Sequence, residues 1–203
     1  MKIKIIISFL IPTLFLVSCG GIEEILPQKK YIWPLENGNY WKYRVKFRDE
    51  PNKLFYTYYK VLRDTLLYDN ELWKVVEYDS NATSIIIIRN KENGLWAHKL
   101  QVTITKDSAF LMYKYPAEVN DTYPNLNDNT NTSVVSLNEK VVVPAGTFYC
   151  LHYLKKVANQ KSEFHFYFAP AVGYIKNEYF YADSMGTLFL NNRLELIEYK
   201  LMK

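Results

Sequence analysis

An all-β fold, built on one antiparallel sheet that curls on itself, is what this 203-residue chain predicts, on three observations. Residues 40 to 48 alternate with a period of two, Trp41, Tyr43, Val45 and Phe47 being interleaved with Lys42, Arg44, Lys46 and Arg48. Such a strand has one face in a core and one in water. The composition is heavy in residues that fill pleated surfaces, with 18 Tyr, 11 Phe and 4 Trp against 7 Gly. Beyond the N-terminal apolar stretch, no segment longer than a turn or two carries the helical period. With no amphipathic helix to cover its rings, the sheet must bend until it covers them itself.

The first thirty residues are of another kind. Lys2 and Lys4 precede a thirteen-residue apolar run, Ile5 to Val17, broken only by Ser8, Pro12 and Thr13. That is the layout of a signal-peptide helix, too short for a permanent membrane span of about 20 residues. The run ends in Leu16-Val17-Ser18-Cys19, which matches a lipobox. A small Ser18 suits the peptidase pocket, and the Cys19 thiol is the nucleophile that takes up diacylglycerol as a thioether. Residues 1–18 are therefore predicted to be removed, 19–30 to form a flexible tether, and 31–203 to form the β domain. No Asp follows Cys19, which by resemblance to Gram-negative lipoproteins implies sorting to the outer membrane, on its periplasmic face or at the cell surface. Glu23 and Glu24 resemble the surface-export signal of Bacteroidota lipoproteins, although there the acids sit closer to the cysteine.

Within the domain, turns rich in Asp, Asn, Pro and Gly fall at 49–52, 68–71, 79–81, 90–94 and 106–108, with strands between them. An Asn-rich stretch after Tyr115-Pro116, reaching Thr132, is the longest predicted loop. Further strands are predicted near 133–143, 147–157, 163–169, 174–182 and 187–201, ten to twelve in all, with Pro144-Ala145-Gly146 marking a hairpin turn or sharp bend. Ile85 to Ile88 lacks alternation and reads as a central strand covered on both faces. WPLENGNYW (33 to 41) and YPAEVNDTY (115 to 123) share an order of aromatic, Pro and Glu, which reads either as two repeats, about 33–112 and 115–203, or as the turn-then-aromatic pattern that all-β chains reuse.

VVVPAGTFYCLHY (141 to 153) and YFAPAVGYIKNE (167 to 178) resemble a group of exported bacterial proteins of unknown function. These share a Val-Pro-Ala-Gly-Thr-Phe motif and, about twenty residues on, a Pro-x-Val-Gly turn before an apolar strand. The opening WPLENGNYWKY resembles the same group. What the resemblance implies is a strongly curved antiparallel sheet, an open or half-closed barrel, and no catalytic residue.

The chemistry of the side chains is sparse. Without residues 1–18, 23 basic and 21 acidic groups remain, which speaks against a nucleic-acid partner. With Cys19 committed to lipid, Cys150 stands alone and is expected buried as a small apolar side chain. Cys150 and His152 on one strand and Glu163 and His165 on the next have metal-ligand types at strand spacing. The stripe Phe148, Cys150, His152, Leu154 is however that of a core face, so neither metal nor cofactor is expected. There is no G-x-S-x-G, no H-E-x-x-H and no phosphate-cradling loop. Glu195 and Glu198 fall on opposite faces of a regular strand, which leaves no carboxylate pair for glycoside chemistry. A non-enzyme is predicted.

Five of the eight Asp precede Ser or Thr. Asp64-Thr65-Leu66, Asp107-Ser108-Ala109 and Asp183-Ser184-Met185 resemble the O-glycosylation site of Bacteroidota exported proteins, with Thr65, Ser108 and Ser184 as acceptors, and plain Asx or ST turns are the competing reading. The basic stripe Lys42, Arg44, Lys46, Arg48 is expected to be a solvated face opposite acidic neighbours. Functionally the sequence leaves two classes: a lipid-anchored module that binds an apolar or glycan ligand in the concave face, and a structural or assembly partner in the outer membrane. Cys19→Ser is expected to abolish anchoring, since a single acyl chain holds a protein only marginally. Metabolic palmitate labelling that survives in this variant would refute the lipobox.

Overall fold

A computed structural model describes residues 30–67, 70–79, 84–98, 108–125, 130–157 and 160–202. The signal-peptide segment, the tether up to residue 29 and Cys19 lie outside the described residues. Twelve strands follow in chain order: β1 Tyr40–Phe47, β2 Phe55–Leu66, β3 Leu72–Tyr78, β4 Ile85–Lys91, β5 Gly94–His98, β6 Ala109–Lys114, β7 Thr122–Asn125, β8 Thr130–Val143, β9 Gly146–Val157, β10 Glu163–Ala169, β11 Gly173–Ala182 and β12 Leu188–Lys200. No helix occurs among the described residues.

All twelve strands belong to one sheet, ordered β6-β5-β4-β3-β2-β1-β12-β11-β10-β9-β8-β7, and every pairing is antiparallel. Apart from β6 and β7, strands adjacent in sequence pair with each other, and β12 returns to pair with β1. The result is an up-and-down barrel, nearly closed. Its gap lies between β6 and β7, where side chains replace the ladder: the Lys114 amide donates to the Tyr123 hydroxyl at 3.0 Å and the Tyr153 hydroxyl donates to the Lys114 carbonyl at 2.7 Å.

The predicted elements are largely present. Turns 90–94 and 144–146 are two-residue hairpin loops, because Lys91 pairs with Gly94 and Val143 with Gly146. Ile87 and Ile88, adjacent and so on opposite faces, are both buried. One prediction differs: the stretch after Pro116 contains the short strand β7, with Pro124 inside it. Its proline is tolerated because β7 is an edge strand that pairs only with β8.

Register defines the two faces, since residues paired across an antiparallel ladder point the same way. Phe55, Val45, Leu194, Asn177, Phe166, Tyr153 and Val134 follow one another from β2 round to β8 on the concave side. The neighbouring row, Tyr56, Arg44, Glu195, Lys176, Tyr167, His152 and Ser136, is convex. The alternation read in residues 40 to 48 is this division between faces.

About eight strands already give an interior that side chains fill, so twelve need more. The extra volume is taken by the segment before β1. Ile32, Trp33 and Leu35 are buried, and the Trp33 ring lies within 5.4–6.1 Å of the rings of Trp41, Tyr59, Phe168 and Tyr174, drawn from four strands. The plug is pinned at its edges: the Asn90 amide donates to the Trp33 carbonyl at 2.7 Å, and the Asn39 amide to the Pro34 carbonyl at 3.1 Å. Opposite Trp33 sits the β10–β11 turn. Trp41 Nε1 donates to the Val172 carbonyl at 2.7 Å and the Tyr43 hydroxyl to the Tyr174 carbonyl at 2.8 Å. Between those carbonyls, Gly173 has φ of +103°, and a Cβ there would overlap the Trp33 ring.

Gly173→Ala combines backbone strain with overpacking and is expected to cost at least about 2 kcal/mol, several degrees in Tm. Trp33→Ala is expected to cost roughly 3–5 kcal/mol, and the double variant less than the sum of the two, because the clash needs the ring. Additive losses in calorimetry would break the link between plug and turn.

Candidate functional site

The barrel interior has two ends of different character. At the plug end the rings are sealed: Trp41, Tyr43, Tyr153, Phe168, Ile175 and Leu196 are almost wholly inaccessible. Leftover interior space was expected from the strand count, and here Trp33 occupies it. At the other end, toward which β1 runs, the concave row Phe47, Asn192, Tyr179, Phe164 and Lys155 forms a mouth. Its rings are only partly covered, with Phe47 and Phe55 each 38% exposed and 5.3 Å apart edge to face. Phe164 packs edge to face on Tyr179 and Tyr181, at 5.2 and 5.9 Å. Below them, burial raises the phenols of Tyr59, Tyr113, Tyr174 and Tyr179 above their ordinary pKa, and the neighbouring Tyr179 pushes the first three further, as Tyr181 does Tyr179.

Lys155 belongs to this interior. It is buried, and its ammonium stands 5.0 Å from the Tyr113 ring and 5.3 Å from that of Phe166. Sequence reasoning passed over it. The alternation Leu151, Tyr153, Lys155 was the available signal, and it placed the lysine on the ring-bearing face.

The convex side carries the polar chemistry. Of the core-like stripe Phe148, Cys150, His152, Leu154, Cys150 and His152 are both buried, but His152 points outward with Tyr167, on whose ring it stacks at 4.4 Å. His152 Nδ1 lies 2.7 Å from Glu139 Oε2, and His152 Nε2 lies 2.8 Å from His165 Nδ1. An ionised Glu139 can only accept, which puts the proton of His152 on Nδ1 and makes its Nε2 the acceptor for His165. A neutral His165 then turns a bare Nε2 toward Glu163 Oε2, 3.6 Å away, while Glu163 is held by Lys156 at 2.7 Å. Three of the four ring nitrogens of this pair are thus taken up by Glu139 and by each other. Among the described residues no group of three or more His, Cys, Asp or Glu side chains is arranged to hold a metal ion. Cys150 is fully buried, and burial, helped by Glu139, pushes its thiol pKa up to about 12. The remaining histidine, His98, is buried against Trp73 at 4.2 Å with Nδ1 2.9 Å from Ser108 Oγ.

One expectation about carboxylates is corrected. Glu195 pairs with Arg44 and Glu198 with Lys42, so both acids share the convex face. The register shift between Lys42 and Tyr43 inserts an extra residue in β12 and undoes the odd spacing. Glu195 then meets the basic stripe: Arg44 at 2.8 Å, Lys46 at 3.9 Å and Arg193 at 3.8 Å.

The three candidate acceptor residues lie apart. Thr65 is half-buried within β2, opposite Trp73, and its Asp64 pairs with Lys74, so that Asp-Thr sits in a strand and not in a turn. Ser108 is half-buried beside His98. Ser184 is exposed in a turn that Asp183 Oδ1 organises by accepting from the amides of Met185 and Thr187, both at 2.9 Å.

No family model matches the chain, and no curated protein matches it. Among solved structures, one named as an exported protein with a YmcC-like fold, from Bacteroides fragilis, is 17% identical, with a TM-score of 0.51 over 85% of this chain and 100% of that one. Another, named as a lipoprotein, from Parabacteroides distasonis, is 15% identical, with the same TM-score over 85% of this chain and 99% of that one. The likeness is one of fold.

The paired histidines have a consequence for pH. Burial, then the neighbouring His152, holds the His165 pKa below its ordinary 6.5, against the opposite pull of Glu163 and Glu178. Between the folded and unfolded values the unfolded chain binds more protons, so this contribution is complete above about pH 6.5 and is lost as the pH falls toward the folded value. Urea unfolding at pH 7.5 and pH 5 should therefore show a smaller acid loss in His165→Gln than in the parent; equal losses would contradict the depressed pKa.

Proposed function

We propose that this chain is an exported, non-catalytic lipoprotein, held to the outer membrane by acyl chains on Cys19, whose barrel binds an apolar or glycan ligand at its open mouth and releases it unchanged. The observation that carries the reading is the contrast within one face of one sheet. The rings are sealed at the plug end and left together, partly uncovered, at the mouth, as at Phe47, Phe55, Phe164 and Tyr181. Grouped exposed rings of this kind mark contact surfaces, and flat rings suit either an acyl chain or the apolar face of a pyranose. The lipobox supports the anchor. Support for export comes also from the names of the two structures of like fold, neither of which carries a reaction. Residues 30–33 lead into the plug end, at the opposite end of the barrel from the mouth.

A structural role is favoured by a different observation. The β8–β9 hairpin exposes Val142 and Tyr149, at 67% and 60%, which suits a protein partner. The two readings separate in one experiment. Phe55→Ala combined with Tyr181→Ala removes two rim rings without touching the plug, and should weaken binding of a fluorescent fatty acid or a neutral oligosaccharide roughly fivefold or more while leaving Tm within a few degrees. Mass spectrometry of the natively purified protein should show diacylglycerol on Cys19 and any retained ligand. Absence of binding to either probe class, in parent and variant alike, would leave the structural reading.

A further inference from the structure

Where the mouth meets the convex face, a groove of about 220 Å³ runs between the end of β1 and the start of β12, lined among others by Lys46, Phe47, Arg48, Leu190, Asn192 and Arg193. Its volume is below the ~300–1,000 Å³ of pockets for drug-sized ligands, and suits one unit of a chain. The charge around it is unbalanced. Arg44 takes the close contact with Glu195, and Lys46 and Arg193 reach the same carboxylate only at 3.9 and 3.8 Å. Arg48 pairs with no carboxylate among the described residues, and its guanidinium lies 4.1 Å over the Phe189 ring. One acid therefore serves three cations, with a fourth beside them. On the inner wall the Phe47 ring, paired with Phe55, is partly exposed, and Asn192 adds an amide that can hydrogen-bond hydroxyls.

We propose that this groove takes an acidic sugar residue, its carboxylate between Lys46, Arg48 and Arg193 and the flat side of its ring against Phe47. The inference rests on the mouth being a ligand site and narrows the ligand to a uronic-acid-bearing glycan. A carboxylate there displaces no existing close ion pair, since Arg44 keeps Glu195. An apolar acyl chain would leave the cations unused. A lipid phosphate would leave the ring and the amide unused.

The test is calorimetric titration of the full chain with an oligogalacturonate and with its methyl ester, which keeps the sugar rings and removes the charge. The acid form is expected to bind at least tenfold more tightly than the ester, with an advantage that shrinks as salt rises. Lys46→Gln with Arg193→Gln, and separately Arg48→Gln, should remove most of that advantage at unchanged Tm. Equal binding of acid and ester, or acid binding indifferent to these variants, overturns the proposal. If the ester and a fatty acid still bind and lose affinity in the Phe55→Ala, Tyr181→Ala variant, the mouth stands and only the acidic-sugar assignment falls; if no probe binds, both fall. Sedimentation with phosphatidylglycerol vesicles that depends on Lys46 and Arg193 and that oligogalacturonate does not compete away would assign the cations to lipid phosphate instead, and likewise overturns the proposal.

Discussion

The contact between Trp33 and the β10–β11 turn is the constraint on which the rest of this barrel depends. Twelve strands enclose more than their own side chains fill, and an empty centre would forfeit the dispersion contacts that hold a core. A segment from outside the sheet closes one end. Its indole touches rings from β1, β2, β10 and β11, so strands far apart in the chain share one object. Gly173 must be a glycine for the ring to approach, and the carbonyls on either side of it are taken by Trp41 and Tyr43. The opening motif and the Pro-x-Val-Gly turn, separate in sequence, are two halves of one joint.

Inside and outside then divide the work. The concave face carries the rings, and the convex face carries ion pairs and the histidine chain, as the period-two alternation requires. Lys155 is the exception, a cation admitted to the interior among aromatic faces. The Glu139, His152, His165, Glu163 series is the reverse case, a buried-edge polar network on the outer wall that fixes the pairing of β8, β9 and β10 through side chains as well as backbone.

Much of the fold was legible in the sequence because alternation is local. The strand 40 to 48, the hairpin turns at 90–94 and 144–146 and the strands from 133 onward all follow from neighbours within a few residues. What failed was non-local. Glu195 and Glu198 share a face only because β12 bulges against β1, a fact of register that no spacing within β12 reveals. His152 lies in an apolar stripe yet turns outward, since burial on the convex side comes from Tyr167 and the paired histidine across a ladder. The strand β7 was hidden by its proline and its four-residue length. Of the mouth, the alternating rings were foreseen, whereas the cation groove required β1 and β12 to be brought side by side.

The gap between β6 and β7 gives the barrel a direction in which to come apart. Everywhere else two neighbouring strands exchange a run of backbone bonds; here the join rests on the hydroxyls of Tyr123 and Tyr153 and on Lys114 reaching Asp121 at 2.9 Å. Opening at that seam breaks a few side-chain bonds, whereas separating β1 from β12 breaks a long ladder and exposes Trp41 and Tyr43. Amide protons should accordingly be least protected along β6 and β7 and most protected around β1, β2 and β12, so that the cylinder breathes as a clam does, hinged opposite its slit.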